Sequence, residues 1–244
     1  MKILLSLLLC LFCFQVSAEQ AEPITKLTVA VGSFPPFVTC NNNKAEGINV
    51  DFVSKVFAAV NVRLEYTCMP WRRVYKSVKR DKYDLSFPYI KNPEREKDLH
   101  FFAEPIIITK QVMFHRKTLD LSERPKSMLN LYRIGGLLGH AYGPHIAEYD
   151  KEVGLDRSET LEIGLEKLAK KRIDILIEEL NTGQAGIAKL PEKMRNLFTY
   201  SDLPDSDEGI KNYLVTGHNN TRKDQIAELF SAGFKAVHKE KTGQ

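Results

Sequence analysis

Stretches of strand-type hydrophobicity alternate with stretches of helical periodicity along the first hundred residues. Alternating or continuous apolar runs predict strands, and apolar positions spaced three or four residues apart predict helices. The predicted elements are a strand over 27–32, a helix over 52–60, a strand over 62–66, a helix over 70–78 and a strand over 83–87. This order favours a sheet of parallel type covered by helices.

Local signals define where the two helices begin. Asn49 or Asp51 is the expected N-cap of the first helix, because a short polar side chain accepts bonds from the first backbone N–H groups. Pro70 opens the second helix, where a missing N–H costs nothing. Trp71 shares the apolar face of that helix, which favours a core position, and Arg72 follows at the helix start.

A second series of the same kind fills the rest of the chain. Its predicted elements are strands over 106–108, 111–114 and 132–137, a helix over 160–171, strands over 173–177 and 213–216, and a helix over 222–238. Two α/β series and a returning C-terminal segment predict an α/β protein with two lobes. Open α/β sheets bind ligands at the carboxyl ends of their strands, so we expect a ligand cleft between the lobes.

The N-terminal residues predict a secretory signal peptide over 1–18. Lys2 supplies a short positive region, an apolar run extends from Ile3 to Phe14, and small residues follow at the cleavage position. This run is too short to span a membrane, and no second apolar run of that length follows. We therefore expect a soluble periplasmic protein, long enough for one large domain or two lobes of about 100 residues each.

Charge and cysteine content narrow the function classes. A net charge of +4 is too small to indicate nucleic-acid or membrane-surface binding. Outside the signal peptide only Cys40 and Cys68 remain, and an even count in an oxidising compartment indicates one disulfide, with two free thiols as the alternative. The spacing of His140, His145 and Glu148 matches no recognised ligand pattern. We expect neither a metal nor a cofactor.

Six short motifs occur along the chain in a specific order. They are Phe34-Pro35-Pro36-Phe37, Gly47-Ile48-Asn49-Val50-Asp51, Tyr83-Asp84-Leu85, the segment NPEREKDLHFFAEPI over 92–106, Arg133-Ile134-Gly135-Gly136-Leu137-Leu138-Gly139, and Arg172-Ile173-Asp174. No single motif is specific, but the ordered series resembles the extracytoplasmic solute-binding proteins of family 3, the polar amino-acid receptors of bacterial ABC importers.

The resemblance implies the two-lobed type II periplasmic binding fold, which closes about a hinge. Lobe 1 would comprise residues 25–108 and 208–244, and lobe 2 residues 109–207. The chain would cross between the lobes twice, near 108–110 and near 203–207. A monomer that works with an ABC permease in the inner membrane is the implied state.

The resemblance also implies ligand contacts. Arg95 matches the family arginine that grips the ligand α-carboxylate, and a planar guanidinium suits this task because it donates two parallel bonds. Glu179, five residues after Asp174, matches the acid that binds the ammonium group, with Glu178 expected to point away. Phe34 matches an aromatic lid. The competing interpretations are a solvated turn arginine paired with a neighbouring glutamate, a solvated strand end, and ordinary packing of Phe34.

Departures from the family pattern bear on the ligand. Relatives carry Gly-Thr-Thr where this chain has Gly139-His140-Ala141, so backbone N–H groups remain but two hydroxyls are lost. Pro88, in place of a small residue before the arginine, has no N–H to donate. If Arg72 or Arg73 faces the cleft, a second carboxylate or another anion becomes an option. The complete set of expected ligand-binding residues is Phe34, Trp71, Arg72, Tyr89, Arg95, Gly139, His140 and Glu179.

These expectations converge on a non-enzymatic receptor that closes on a small carboxylate-bearing solute and delivers it to an ABC importer. One alternative is a periplasmic dehydratase on the same fold, with Glu179 as the acid and arginines such as Arg95 and Arg72 holding a prephenate-like substrate. The other alternative is a ligand-sensing or interaction protein that has no role in transport.

Overall fold

The structure is a computed structural model that describes residues 22–42, 44–121, 126–203 and 209–242. The predicted signal peptide lies outside these ranges. Among the described helices, none combines the length and the apolar character needed to cross a membrane.

Twelve strands and eight α-helices make up the described part of the chain. The strands are β1 Lys26–Val31, β2 Thr39–Asn41, β3 Lys44–Glu46, β4 Arg63–Cys68, β5 Leu85–Ile90, β6 Leu99–Thr109, β7 Gln111–Arg116, β8 Ile134–Leu137, β9 Asp156–Ser158, β10 Ile175–Glu179, β11 Phe198–Asp202 and β12 Ile210–Gly217. The helices are α1 Ile48–Ala58, α2 Trp71–Lys79, α3 Pro93–Glu96, α4 Pro144–Glu152, α5 Leu161–Ala169, α6 Leu180–Ala188, α7 Glu192–Arg195 and α8 Lys223–Thr242, with a 3₁₀ turn at Lys126–Leu131.

The first sheet has the strand order β4-β1-β5-β12-β6. Strand β1 pairs in parallel with β4 and β5, as the hydrophobic pattern predicts. Strand β12 lies antiparallel between β5 and β6, which makes the sheet mixed. Its core is largely apolar, with Val29, Phe57 and Phe230 fully buried where α1 and α8 pack on the strands.

The start of α1 differs from the prediction. The N-cap is Gly47, and no side chain caps the helix, so the expectation of Asn49 or Asp51 is wrong. The backbone of Gly47 has φ +121°, a conformation that side chains disfavour, and an added Cβ would approach the carbonyl oxygens of Pro36 and Phe37 within 3 Å. The chain therefore turns tightly after the Pro35-Pro36 loop and enters the helix early.

The second sheet has the strand order β11-β7-β10-β8-β9. Strands β8, β9 and β10 run parallel, and β7 is antiparallel to both β10 and β11. Buried aliphatic residues of α5, among them Leu165 and Leu168, cover one face, and Tyr142, Ile146 and Tyr149 cover the other. The sequence pattern missed α4 and α6 because their apolar positions are few and interrupted by polar residues.

The first sheet continues directly into the second at one point. Strand β6 ends at Thr109 and β7 begins at Gln111, so a single residue separates them. The buried side chain of Asn212 donates to Thr109 Oγ1 at 2.8 Å and to the Ile210 carbonyl at 2.8 Å, which ties the outgoing strand to the returning strand β12. The second predicted crossing falls almost wholly on 204–208, outside the described residues, and stays a prediction.

A disulfide joins Cys40 of β2 to Cys68 at the end of β4, with a Cα–Cα distance of 5.9 Å. The prediction of one bond from the cysteine count is confirmed, and free thiols are excluded. The bond closes a loop with a sequence separation of 28 residues. It fixes the β2–β3 hairpin to the edge of the first sheet, next to the loop that carries Phe34.

Removal of this disulfide should destabilise the protein. The double variant C40S/C68S is expected to lose about 3–4 kcal/mol of unfolding free energy, because the open loop has more entropy in the unfolded chain. Urea unfolding of both proteins measures the difference. Dithiothreitol should weaken the unmodified protein by a similar amount and leave the double variant unchanged. Equal midpoints for the two proteins without reductant would contradict the expectation.

Candidate functional site

A small cavity lies where the carboxyl ends of the parallel strands of the two sheets meet. Its volume is about 50 Å³. Among the expected ligand-binding residues, those that line it are Phe34, Trp71, Tyr89, Arg95, Gly139, His140 and Glu179. Arg72 is exposed and lines larger grooves of about 810 and 700 Å³ on either side of the cavity, whereas Arg73 lines neither.

Arg95 spans the gap between the two sheets. Its backbone N–H is bonded to the side chain of Asn92, which caps the short helix α3. The guanidinium donates to the Ile90 carbonyl at 3.1 Å and to the Gly139 carbonyl at 3.1 Å, and its central carbon lies 5.0 Å from the centre of the Tyr89 ring. Burial lowers the pKa of Arg95 from its ordinary value, and the side chain keeps partial exposure to solvent.

The alternative of a solvated turn arginine does not match this geometry. The carboxylate of Glu96 pairs with Lys91 at 3.0 Å instead of with Arg95. The neighbour Glu94 raises the pKa of Arg95 only weakly, after burial and two tyrosines. Arg95 therefore points into the protein, and backbone carbonyls take its hydrogen bonds.

Three further contacts hold the two sheets together around the cavity. Thr182 Oγ1 donates to the Pro35 carbonyl at 2.6 Å. The ring of His140 meets Trp71 edge-on at 6.3 Å. Gly139 has φ +82°, and an added Cβ would lie 3.2 Å from Trp71 Cβ, so a side chain there would be strained and crowded. The structure is thus a closed arrangement of the cleft.

Two aromatic side chains form one wall of the cavity. Trp71 donates its indole N–H to the Ser33 carbonyl at 3.0 Å and packs edge-on against Tyr89. It is partly buried, so it contributes to the core and to the cavity at once. Phe34 lies 6.0 Å from the His140 ring, centre to centre. The first loop and the start of α2 therefore place aromatic surface over the site.

Two residues that sequence analysis missed hold the His140 loop in place. Arg157 donates to the carbonyls of Leu137 at 2.8 Å and His140 at 3.3 Å. Gln111 donates to the Ala141 carbonyl at 3.3 Å and accepts from the backbone N–H of Gly143 at 2.9 Å. The sequence feature that could have identified Gln111 is its position as a polar residue at the start of an otherwise apolar strand.

The adjacent glutamates at the end of β10 have different environments. Glu179 is the N-cap of α6: one oxygen accepts from Thr182 N–H at 2.7 Å and the other from the Asn181 side chain at 3.0 Å. Glu178 was expected to point away, which is wrong, because it also lines the cavity. Its Oε1 accepts from Glu179 N–H at 2.8 Å, and its Oε2 lies 3.7 Å from His140 Nδ1.

Burial makes both Glu178 and His140 neutral at pH 7. Burial raises the pKa of Glu178 to about 8, and the charge of Glu179 adds to the rise. Burial lowers the pKa of His140 to about 4, and the charges of Arg95 and Arg157 lower it further. The 3.7 Å approach of these two side chains is therefore not an ion pair at neutral pH. Burial also raises the pKa of Tyr89 to about 12, so its phenol is neutral.

These opposite shifts predict how stability depends on pH. Folded Glu178 keeps its proton up to about pH 8 while the unfolded chain loses it near 4.5, so its contribution to stability declines as pH rises through this window. His140 acts oppositely between pH 4 and 6.5, because the unfolded chain binds the extra proton there. The two slopes cancel between pH 4.5 and 6.5, and only the Glu178 slope remains above 6.5.

We therefore expect the unfolding free energy to fall by roughly 2 kcal/mol between pH 6.5 and 8. The variant E178Q cannot titrate and should lack this decline, whereas E192Q, at an exposed position on α7, should keep it. Urea unfolding at several pH values measures the slopes. Parallel curves for E178Q and the unmodified protein would contradict the assignment.

Solved structures with the same fold bind small solutes or sense them. An ancestral arginine-binding protein bound to arginine aligns with a TM-score of 0.72 at 19% identity, over 89% of this chain and 94% of that chain. A substrate-binding protein of an ABC uptake transporter from Streptococcus pneumoniae, with bound histidine, aligns with a TM-score of 0.69 at 15% identity, over 88% of both chains. A histidine kinase sensor domain with similarity to periplasmic binding proteins aligns with a TM-score of 0.74 at 15% identity, over 90% of this chain and 92% of that chain.

At these identities the likeness establishes the fold, the type II arrangement of periplasmic binding proteins, and not the ligand. A search of curated protein sequences finds no match. The sequence pattern of one family, in contrast, covers residues 27–242. The ordered motifs, the two mixed sheets and this match agree, and the chain belongs to the bacterial extracellular solute-binding proteins, family 3.

Proposed function

We propose that this protein is a periplasmic receptor that closes on a small carboxylate-bearing solute, an amino acid or a related anion, and delivers it to an ABC permease. Family membership supports solute binding. The observation that supports a carboxylate ligand is Arg95, a partly buried cation at the cavity whose guanidinium, among the described residues, donates to the neutral carbonyls of Ile90 and Gly139. A carboxylate forms stronger, charge-assisted bonds with such a group than a carbonyl does.

The position of Arg95 links solute binding to closure. Its bond to Ile90 stays within the first sheet, whereas its bond to Gly139 reaches the loop after β8 in the second sheet. A guanidinium has five N–H donors, so a solute carboxylate can accept two of the remaining ones while Arg95 keeps its bonds to both sheets. We infer that the bound solute strengthens a contact that the closed protein already makes.

The proposed closure needs two lobes that move about the crossing strands. We assign residues 25–108 and 208–244 to one lobe and 109–207 to the other. The direct passage from β6 to β7, held by the Asn212 bonds to Thr109 and Ile210, supports a hinge at this point. The S. pneumoniae relative is part of an ABC uptake transporter, which supports import as the purpose. We propose a monomer with no nucleic-acid partner, exported by its signal peptide.

A sensing role on the same fold is the alternative that a specific neighbour supports, since one aligned structure is a histidine kinase sensor domain. Both roles require the same solute-driven closure. They differ in the membrane partner: co-purification with a permease supports import, and co-purification with a kinase supports sensing.

Substitution of Arg95 tests the proposed function. In R95A, affinity for any carboxylate solute that binds the unmodified protein should fall at least ~100-fold, because two charge-assisted bonds are lost. In R95K it should fall at least ~10-fold, since lysine cannot donate two parallel bonds. Isothermal titration calorimetry with L-arginine, L-glutamine, L-histidine and succinate measures this. R73A, an exposed change on α2 outside the cavity and its grooves, is the control, and an R95A protein that binds as tightly as R73A would refute the assignment.

Acid-catalysed dehydration is a second candidate because the protonated carboxyl of Glu178 lies in the same cavity as Arg95. Incubation with prephenate or arogenate, followed by ultraviolet absorbance of the aromatic product, tests it. We expect no turnover above the buffer rate. If product forms with the unmodified protein but not with E178Q, the protein is an enzyme and the receptor proposal is wrong.

A further inference from the structure

Glu178 has a carboxyl oxygen that nothing in the described residues satisfies. The side chain is 2% exposed, and Oε2 accepts no hydrogen bond from any described group. A buried polar oxygen without a partner is costly, whether or not it carries a proton, and such groups are rare in folded proteins. Since this oxygen belongs to a residue that lines the cavity, a ligand donor placed in the cavity would remove the cost.

The neighbouring carboxylate of Glu179 is already committed. Both of its oxygens accept bonds at the start of α6, from the backbone of Thr182 and the side chain of Asn181. A ligand that displaced these bonds would leave the first turn of the helix without a cap and would weaken it. The residue that matches the family position by spacing is therefore the less available of the two.

We propose that Glu178 and His140 form the subsite that receives an ammonium group of the solute, while Glu179 only caps α6. The inference rests on the proposed function and names the chemistry at one end of the solute. Glu178 Oε2 and His140 Nδ1 are 3.7 Å apart, so one nitrogen with several N–H donors can reach both. A neutral imidazole offers an acceptor to such a group, whereas an imidazolium would repel it.

Binding of an ammonium to Glu178 involves the loss of one proton. The carboxylic acid of the solute-free site releases its proton to the solvent, and the resulting carboxylate accepts the N–H bond of the bound ammonium. This proton release is the only covalent change in the proposed binding step. Because the pKa of Glu178 in the solute-free site is about 8, affinity for amines should rise up to ~10-fold per pH unit from pH 6 to 8.

The charged and titratable groups around Glu178 are consistent with this linkage. On its own strand Glu179 raises the pKa of Glu178. On the loop after β8 lie the neutral His140 and Tyr142, and Arg95 and Arg157 face His140 from α3 and β9. On the neighbouring strand β7 the facing residues are Val112 and Gln111, which carry no charge.

The experiment compares amino-acid probes with the same molecules lacking the α-amino group. The pairs are L-glutamine with 4-carbamoylbutanoate, L-histidine with 3-(imidazol-4-yl)propanoate, and L-arginine with 5-guanidinopentanoate. Calorimetry measures affinity and the number of protons released, in two buffers of different ionisation enthalpy. The proteins are the unmodified chain, E178Q, E179Q and R95A, and circular dichroism confirms that each is folded, with E179D in reserve if E179Q is not.

The unmodified protein should prefer the amine-bearing member at least ~10-fold and release close to one proton at pH 6.5. E178Q should reduce the preference to within ~3-fold and release no proton, while E179Q should keep both and lose only stability. A preference that survives in E178Q and is lost in E179Q overturns the inference. If only the desamino acids bind, and R95A abolishes that binding, the ammonium subsite is overturned but the proposed function stands. If R95A binds as tightly as the unmodified protein, or if no probe binds, both proposals are overturned.

Discussion

The partly buried guanidinium of Arg95 makes the contact on which the rest of the site depends. It belongs to the first sheet through α3, yet one of its hydrogen bonds is made to Gly139 in the second. Removing part of a cation from water is costly unless other contacts replace the water, and here two carbonyls and the face of Tyr89 do so. A group held in this way is ready to exchange a neutral acceptor for an anion.

The same lack of water determines the charges of the other polar groups in the cavity. Glu178 holds its proton and His140 lacks one because burial disfavours the charged form of each, and the cations Arg95 and Arg157 disfavour a third positive charge at His140. At neutral pH the site combines a permanent cation with a carboxyl that burial keeps protonated. The solute that we propose, an amino acid, offers a carboxylate to the cation and an ammonium group to the carboxyl.

Sequence patterns predicted the fold well where apolar periodicity was strong. The parallel strands β1, β4 and β5, the helix α8 and the Cys40–Cys68 bond all follow from local pattern or cysteine count. The N-cap of α1 was missed because a positive φ at Gly47, set by the preceding proline loop, outweighs side-chain capping. In the site, strand alternation at β10 suggested that only one glutamate faces the cavity. The strand end and the cap of α6 place both there, and that depends on tertiary packing that one sequence does not display.

We expect a solute held by Arg95 to close the two sheets on each other. Double electron–electron resonance between spin labels at Ala58 on α1 and Glu192 on α7 measures the distance between the lobes. With an amino acid that binds, the distribution should narrow to the short distance of the closed structure in the unmodified protein and stay broad in R95A. Equal narrowing in both proteins would show that closure does not depend on Arg95 and would contradict this account.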